Sequence, residues 1–194
     1  MKKFFCDLDG VVFNFNLKFS QVLHGINSKY PIIRYPEEVK DWDWSTWYPA
    51  PKEHIDLAWR TVMSDPYFYE NMLTIDVAGI EALKRLQENL DVYFVSSRLD
   101  TGMRSAVLQT TMALLDIGFD CHNVIMTDKK VELIKIMQPN FYLDDCPKYF
   151  TDVSVFKGMD LVGTMEYAYT RDISKDIPRY NTLLEFVKDI SEKI

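Results

Sequence analysis

Two aspartates stand two residues apart in FFCDLDGVVF, residues 4–13, inside an otherwise apolar run broken by Gly10. Strands are poor in Asp, and two nearby buried carboxylates repel unless something positive holds them. The pair, Asp7 and Asp9, marks either a strand end with a turn or a site that expects a cation. Three more short apolar runs end in polar residues. DVYFVSS closes on Ser96 and Ser97, HNVIMT leads to Lys129 and Lys130, and NFYLDD closes on Asp144 and Asp145. Each motif alone is common in turns and helix ends. Their joint placement at successive strand ends is far more specific. Carboxylates, hydroxyls and an ammonium gathered there suit nucleophilic and acid–base chemistry on an anion, with oxygen ligands left for a hard cation.

The elements that must position these groups alternate along the chain. The four runs are short, apolar and rich in β-formers, and helical patterns separate them. VAGIEALKRLQENL places Ile80, Leu83, Leu86 and Leu90 on one face. TGMRSAVLQTTMALLDIG starts at a Thr101 cap and stops at Gly118, and KKVELIKIMQ ends before Pro139. VSVF and DLVG suit edge strands, and PRYNTLLEFVKDISEKI suits a closing helix from Pro178. This order predicts an α/β fold, a doubly wound parallel sheet whose ligands bind beyond the carboxyl ends of the strands.

One segment departs from the rhythm. Residues 14–73 separate the first strand from the next βα unit, although a crossover needs only about a dozen residues. They hold most of the rings, including DWDWSTWYPAP with Trp42, Trp44 and Trp47, then Trp59 and the run Tyr67, Phe68, Tyr69. We expect a small helical cap here, inserted into a core formed by 1–13 and 74–194. Most of its rings should form its own core, and a few should face the pocket.

Bulk properties narrow the function. The 194 residues suit one domain with an insertion, and 47% are hydrophobic. No apolar run is long enough to span a bilayer, and the start of the chain lacks a signal-peptide pattern. Cys6, Cys121 and Cys146 have no CxxC spacing and suit reduced thiols, so a cytoplasmic protein is expected. A net charge of −7 argues against a polynucleotide partner but permits a small anion in a locally positive pocket. His24, His54 and His122 are isolated and form no ligand spacing, and no P-loop is present.

The order of DLDGVV, a hydrophobic run ending in SS, Lys opening a helix, and a hydrophobic run ending in DD resembles the haloacid-dehalogenase-like phosphohydrolases. The likeness covers the sheet motifs from residue 3 to about 150 and puts the aromatic insertion where that family carries a cap. PYFYENMLTIDVAGIEALKRL is similar to the corresponding stretch of the 5'(3')-deoxyribonucleotidases. The resemblance implies Asp7 as a nucleophile forming an aspartyl-phosphate and Asp9 as general acid and base. It also implies Mg²⁺ held by Asp7, the carbonyl of Asp9 and Asp144, with Asp145 in support. Ser96 and Ser97 would contact the phosphate. Lys130 would neutralise it, Lys129 competing for that role. The substrate implied is a small phosphorylated metabolite, a nucleoside monophosphate, and the protein a monomer or homodimer.

Arg98 departs from the deoxyribonucleotidase pattern, in which proline often follows the serine. It reaches either the substrate or an acid on the rim. Trp42, Trp44, Trp47 and Phe68 are the candidates for stacking on a base, while Phe13 and Phe15, just after the first strand, either line the floor of the site or, the preferred reading, join the core. Another phosphomonoester or a polynucleotide 3'-phosphate is the alternative substrate. A phospho-accepting signalling module is a further alternative, but it lacks an acid two residues from its acceptor.

Overall fold

A computed structural model describes residues 1–120 and 122–194; Cys121 lies outside the described residues. The chain forms strands β1 (Lys2–Cys6), β2 (Leu90–Ser96), β3 (Val124–Met126), β4 (Phe141–Asp144), β5 (Leu161–Met165) and β6 (Arg179–Tyr180). Its helices are α1 (Phe15–Ile26), α2 (Trp44–Trp47), α3 (Lys52–Ser64), α4 (Val77–Leu86), α5 (Ala106–Asp116), α6 (Lys130–Met137) and α7 (Leu183–Ser191). The strands make one parallel sheet in the order β3-β2-β1-β4-β5-β6. That order places β1 beside β4 at the switch point where an open sheet of this kind carries its crevice.

The alternation of side chains along β1 builds the two faces. Phe4 and Cys6 pack with Phe94, Phe141 and Leu143 into a core shared with α4, α5 and α7. Phe5 points the other way and packs with Val95, Tyr142 and Ile134 of α6. Period-two patterning with apolar residues on both faces is what a fully covered strand requires.

The insertion leaves and returns at one place. Asn14 N–H donates to the Leu73 carbonyl at 2.8 Å, Ile75 N–H donates to that of Val12 at 3.0 Å, and Phe13 bridges Thr74. Between these points α1 and α3 pack on each other through Phe19, Leu23, Ile55, Ala58 and Val62, all buried.

Several elements differ from the sequence expectation. VSVF is a 3-10 turn, not a strand, because the Asp152 carboxylate accepts from Ser154 N–H and winds the backbone. DLVG contributes to β5, which lies inside β6 rather than at the edge. The closing helix starts at Leu183, capped by the Thr182 hydroxyl, and the residues after Pro178 form β6 instead. Leu90 opens β2 and is not on α4. Thr101 does not cap α5; it bridges Arg104, and Asp100 accepts from the N–H of Ala106 at the helix start.

Candidate active site

Past β1 the backbone closes tightly around one carbonyl. The Leu8 oxygen accepts from the N–H groups of Val11, Val12 and Phe13, and Gly10 sits at φ +84°. Glycine takes that conformation freely. Here it is also needed for space, because a Cβ at Gly10 would collide with the Asp145 carboxylate. The loop thus brings the end of β1 against the end of β4. Asp7 N–H extends the ladder to the Leu143 carbonyl at 2.9 Å, so Asp7 and Asp144 leave neighbouring strands side by side.

Asp7, Asp144 and Asp145 are buried, and one carboxylate oxygen from each lies within 4.8 Å of the others. Lys130, the first residue of α6, is buried beneath them. Its Nζ donates to Asp7 Oδ1 at 2.5 Å and to Asp144 Oδ2 at 2.6 Å, and it stands 4.9 Å from the centre of the Tyr149 ring. Asp144 is further held by Tyr142 Oη at 2.8 Å and by Cys146 N–H at 2.8 Å. Tyr169 Oη donates to Asp145 Oδ2 at 2.6 Å. The other oxygen of Asp145 is fully buried and finds no donor among the described residues.

The electrostatics follow from this crowding. Burial, with Asp144 and Asp9 adding to it and Lys130 opposing it, pushes the Asp7 carboxyl up to about 7. Burial and the two neighbouring acids push Asp145 well above the ordinary carboxylate range. Burial works against the charge on Lys130, but Asp144 and Asp7 more than offset it and hold the ammonium above its usual range. Burial also keeps the phenols of Tyr142 and Tyr169 protonated, as their donor roles need.

Asp9 is partly open to the cleft. Arg98 holds both of its oxygens, Nε donating to Oδ2 at 2.9 Å and Nη2 to Oδ1 at 2.7 Å. Ser96 is buried at the end of β2, and Ser97 is exposed. Asp7, Asp9, Ser96, Ser97, Arg98 and Lys130 together line a cleft of about 260 Å³. Trp42, Trp59, Phe15 and Tyr69 form its apolar side. A smaller cavity of about 110 Å³ adjoins it across Trp42 and Trp59, faced by the buried amide of Asn16 and by Trp44.

A comparison with known families meets this geometry. The sequence profile of the 5' nucleotidase, deoxy (pyrimidine), cytosolic type C proteins matches residues 2–185. The chain belongs to that family. It is a 5'-nucleotidase of the haloacid-dehalogenase-like type, a phosphoric monoester hydrolase. No curated protein matches it significantly.

Nucleotidases of this type depend on a metal ion, and the residues present fit one. The donors are carboxylate oxygens, which suit a hard cation of the magnesium kind, and one of them is buried without a partner. With all four carboxylates ionised, Asp7, Asp9, Asp144 and Asp145 outnumber Lys130 and Arg98 by two charges, the deficit a divalent ion would fill; without an ion, the raised affinity of Asp7 and Asp145 for protons expresses the same imbalance.

The structure sorts the candidate residues of the nucleotidase. Lys130 and not Lys129 enters the site; Lys129 is the exposed residue before α6, its N–H donating to the Thr127 hydroxyl. Phe68 is fully buried against Phe15 and lines neither cavity, so it belongs to the packing of the insertion. Trp47 packs against Trp44 and Tyr48 and lines neither cavity. Trp44 is 6% exposed and faces only the smaller one. Trp42 lines both.

Phe15 is a cleft wall, the less favoured of its two expected places, while Phe13 is buried in the core. Trp59, Tyr69, Tyr142, Tyr149 and Tyr169 were not singled out by motif. Tyr142 carries a readable signal, since it lies two residues before Asp144 on one strand and so shares its face. The others reach the site from loops or from a helix of the insertion, and nothing in local spacing marks them.

Proposed function

We propose that this protein hydrolyses deoxyribonucleoside monophosphates, pyrimidine nucleotides first, in a magnesium-dependent reaction with an aspartyl-phosphate intermediate on Asp7. The observation that carries the reading is the meeting of three buried carboxylates and one buried ammonium beyond the ends of β1 and β4. The family's own description names deoxy and pyrimidine substrates. The walls of Trp42 and Trp59, 50% and 40% exposed, give a nucleobase faces to stack on.

Asp7, Asp144 and Asp145 would hold the ion, with the backbone oxygen of Asp9. When bound, Mg²⁺ supplies positive charge that offsets the repulsion between a phosphate dianion and the carboxylates around it. The chain's own groups do the rest. Lys130 opposes the upward push on Asp7 and so favours its ionised form beside the phosphate, from which the carboxylate can attack phosphorus. Ser96 and Ser97 donate hydroxyl hydrogens to phosphate oxygens. Asp9 protonates the departing nucleoside oxygen, then takes a proton from the water that releases phosphate from Asp7. Residues 14–73 act as the cap, their rings closing the cleft and excluding bulk water. We infer that the protein works in the cytoplasm; no helix among the described residues is long and apolar enough to cross a membrane.

Phosphate release from dUMP and dTMP with added Mg²⁺ tests the reading. EDTA should abolish it, and Asp7→Asn should abolish it without loss of fold. A pure, folded preparation that releases no phosphate from any nucleoside monophosphate in Mg²⁺ overturns it.

A further inference from the structure

We propose that Arg98 is a positioning residue that aims the carboxyl of Asp9 at the oxygen leaving the phosphate; this rests on Asp9 being the acid and base. The guanidinium is committed before any substrate arrives. Nε and Nη2 grip the two oxygens of Asp9, and Nη1 donates to the Thr110 hydroxyl of α5 at 2.8 Å. The rings of Tyr69 and Phe13 lie 4.7 and 5.2 Å from its central carbon. Its side chain is 1% exposed, against 23% for Asp9.

An arginine built to capture phosphate keeps its donors toward the opening. This one is clamped by α5, by the loop after β1 and by the end of the insertion, and turns its fork to a carboxylate. A planar two-pronged pair fixes the rotation of Asp9 as well as its place, which one lysine contact cannot do. Each carboxylate oxygen keeps a second lone pair for the cleft.

The chemistry gives this grip a consequence. In the first half-reaction an Asp7 oxygen bonds to phosphorus while the bond from phosphorus to the ester oxygen breaks. The ester oxygen keeps the electron pair and takes the proton of Asp9. In the second, Asp9 takes a proton from water, the water oxygen bonds to phosphorus, and the bond from phosphorus to Asp7 breaks, freeing phosphate. A nucleoside alkoxide is a poor leaving group and needs that first proton in place. A p-nitrophenolate leaves without it. Loss of aim should therefore cost the two substrates unequally.

The experiment compares the pre-steady-state rate of leaving-group release at saturating dUMP and at saturating p-nitrophenyl phosphate, which separates the first half-reaction from the second that both substrates share, in Arg98→Lys and Arg98→Gln. Well-aimed acid–base catalysis is worth about 10²–10⁴-fold, so we expect roughly 100-fold loss for dUMP and a several-fold smaller loss for p-nitrophenyl phosphate. In an Asp9→Asn background Arg98→Gln should add nothing further to the loss on dUMP, because the two residues act as one unit. Equal losses on both substrates, a raised KM for dUMP with kcat intact, or additive losses in the double variant would make Arg98 a phosphate ligand and overturn the proposal. Should Arg98→Gln fail to fold, Thr110→Val removes the anchor of the guanidinium and must show the same split at smaller amplitude; no split there overturns the proposal too. Full turnover of dUMP by Asp9→Asn alone refutes the acid–base reading itself and the proposal with it. An inactive Asp9→Asn beside an unsplit Arg98→Gln refutes only the aiming role.

Discussion

Replacing Lys130 by Met tests the charge balance of the site directly. The side chain is 2% exposed and its Nζ serves Asp7 and Asp144 at once. Met fills similar space without charge, so the change leaves Asp7, Asp144 and Asp145 buried with no cation in contact. Breaking a buried pair by removing one partner costs about 3–5 kcal/mol. For a chain of this length each kcal/mol moves the melting temperature by about 2–4 °C, so in EDTA at pH 8 the variant should melt roughly 6–20 °C below the parent. The loss should shrink at pH 6. Lys130 is the group that opposes the upward push on Asp7, and without it Asp7 binds a proton more readily and sheds its charge. Mg²⁺ should restore part of the stability by binding the same carboxylates. Denaturation followed by circular dichroism at the two pH values, with and without Mg²⁺, measures all three effects. A variant within about 1 kcal/mol of the parent in EDTA at pH 8, below the cost of a broken buried pair, would refute the argument.

Two further outcomes follow from the same geometry. The Asp7 carboxyl is raised from 3.8 to about 7 in the fold, so the metal-free native state holds more protons than the unfolded chain across that interval. The stability it contributes is present below about pH 4 and is lost as pH rises through about 7. Melting in EDTA should accordingly be higher at pH 5.5 than at pH 8, and a flat profile would count against the buried cluster. Among the described residues the one ring contact of Trp42 is a T-shaped pair with Tyr169, and the side chain is half exposed, so Trp42→Ala should leave the fold intact. Base stacking is worth about 1–3 kcal/mol, which predicts a KM for dUMP raised roughly 5–150-fold, with inhibition by inorganic phosphate unchanged.

The strand ends were legible because four short apolar runs rich in β-formers alternate with helical patterns, and each is followed by polar residues. Lys130 was legible over Lys129 because the first residue of a helix points back toward the strand ends. Where the sequence misled, a local bond competed with the pattern. VSVF has β-forming residues, yet the Asp152 side chain bonds Ser154 and the segment winds instead. PRYN looked like a helix entry, but Arg179 and Tyr180 pair with Thr164 and Met165 before Thr182 caps α7. The rings could not be sorted at all. Tyr67, Phe68 and Tyr69 are consecutive, yet one is exposed, one lies in the packing of the insertion and one covers Arg98. Only tertiary contact separates them.

The cluster itself depends on a neighbour relation that no motif contains. Asp7 and Asp144 are separated by most of the chain, and the sequence shows only that both follow strands. Right-handed crossovers on a twisted parallel sheet then leave few orders, and in the one adopted here β1 has β2 on one side and β4 on the other. That adjacency forces the two carboxylates together whatever their mutual repulsion. The fold therefore has to supply the countercharge from elements that cross the same end. Lys130 comes from α6 after β3, and Arg98 comes from the loop after β2. Each cation reaches a different carboxylate pair or fork, and neither could replace the other from its own strand. Once all four carboxylates are ionised, two positive charges against four negative ones leave the end of the sheet electrically incomplete. The fold holds that deficit in a buried place with one carboxylate oxygen unpaired, a setting that favours a divalent cation and would repel a phosphate dianion until such a cation is bound.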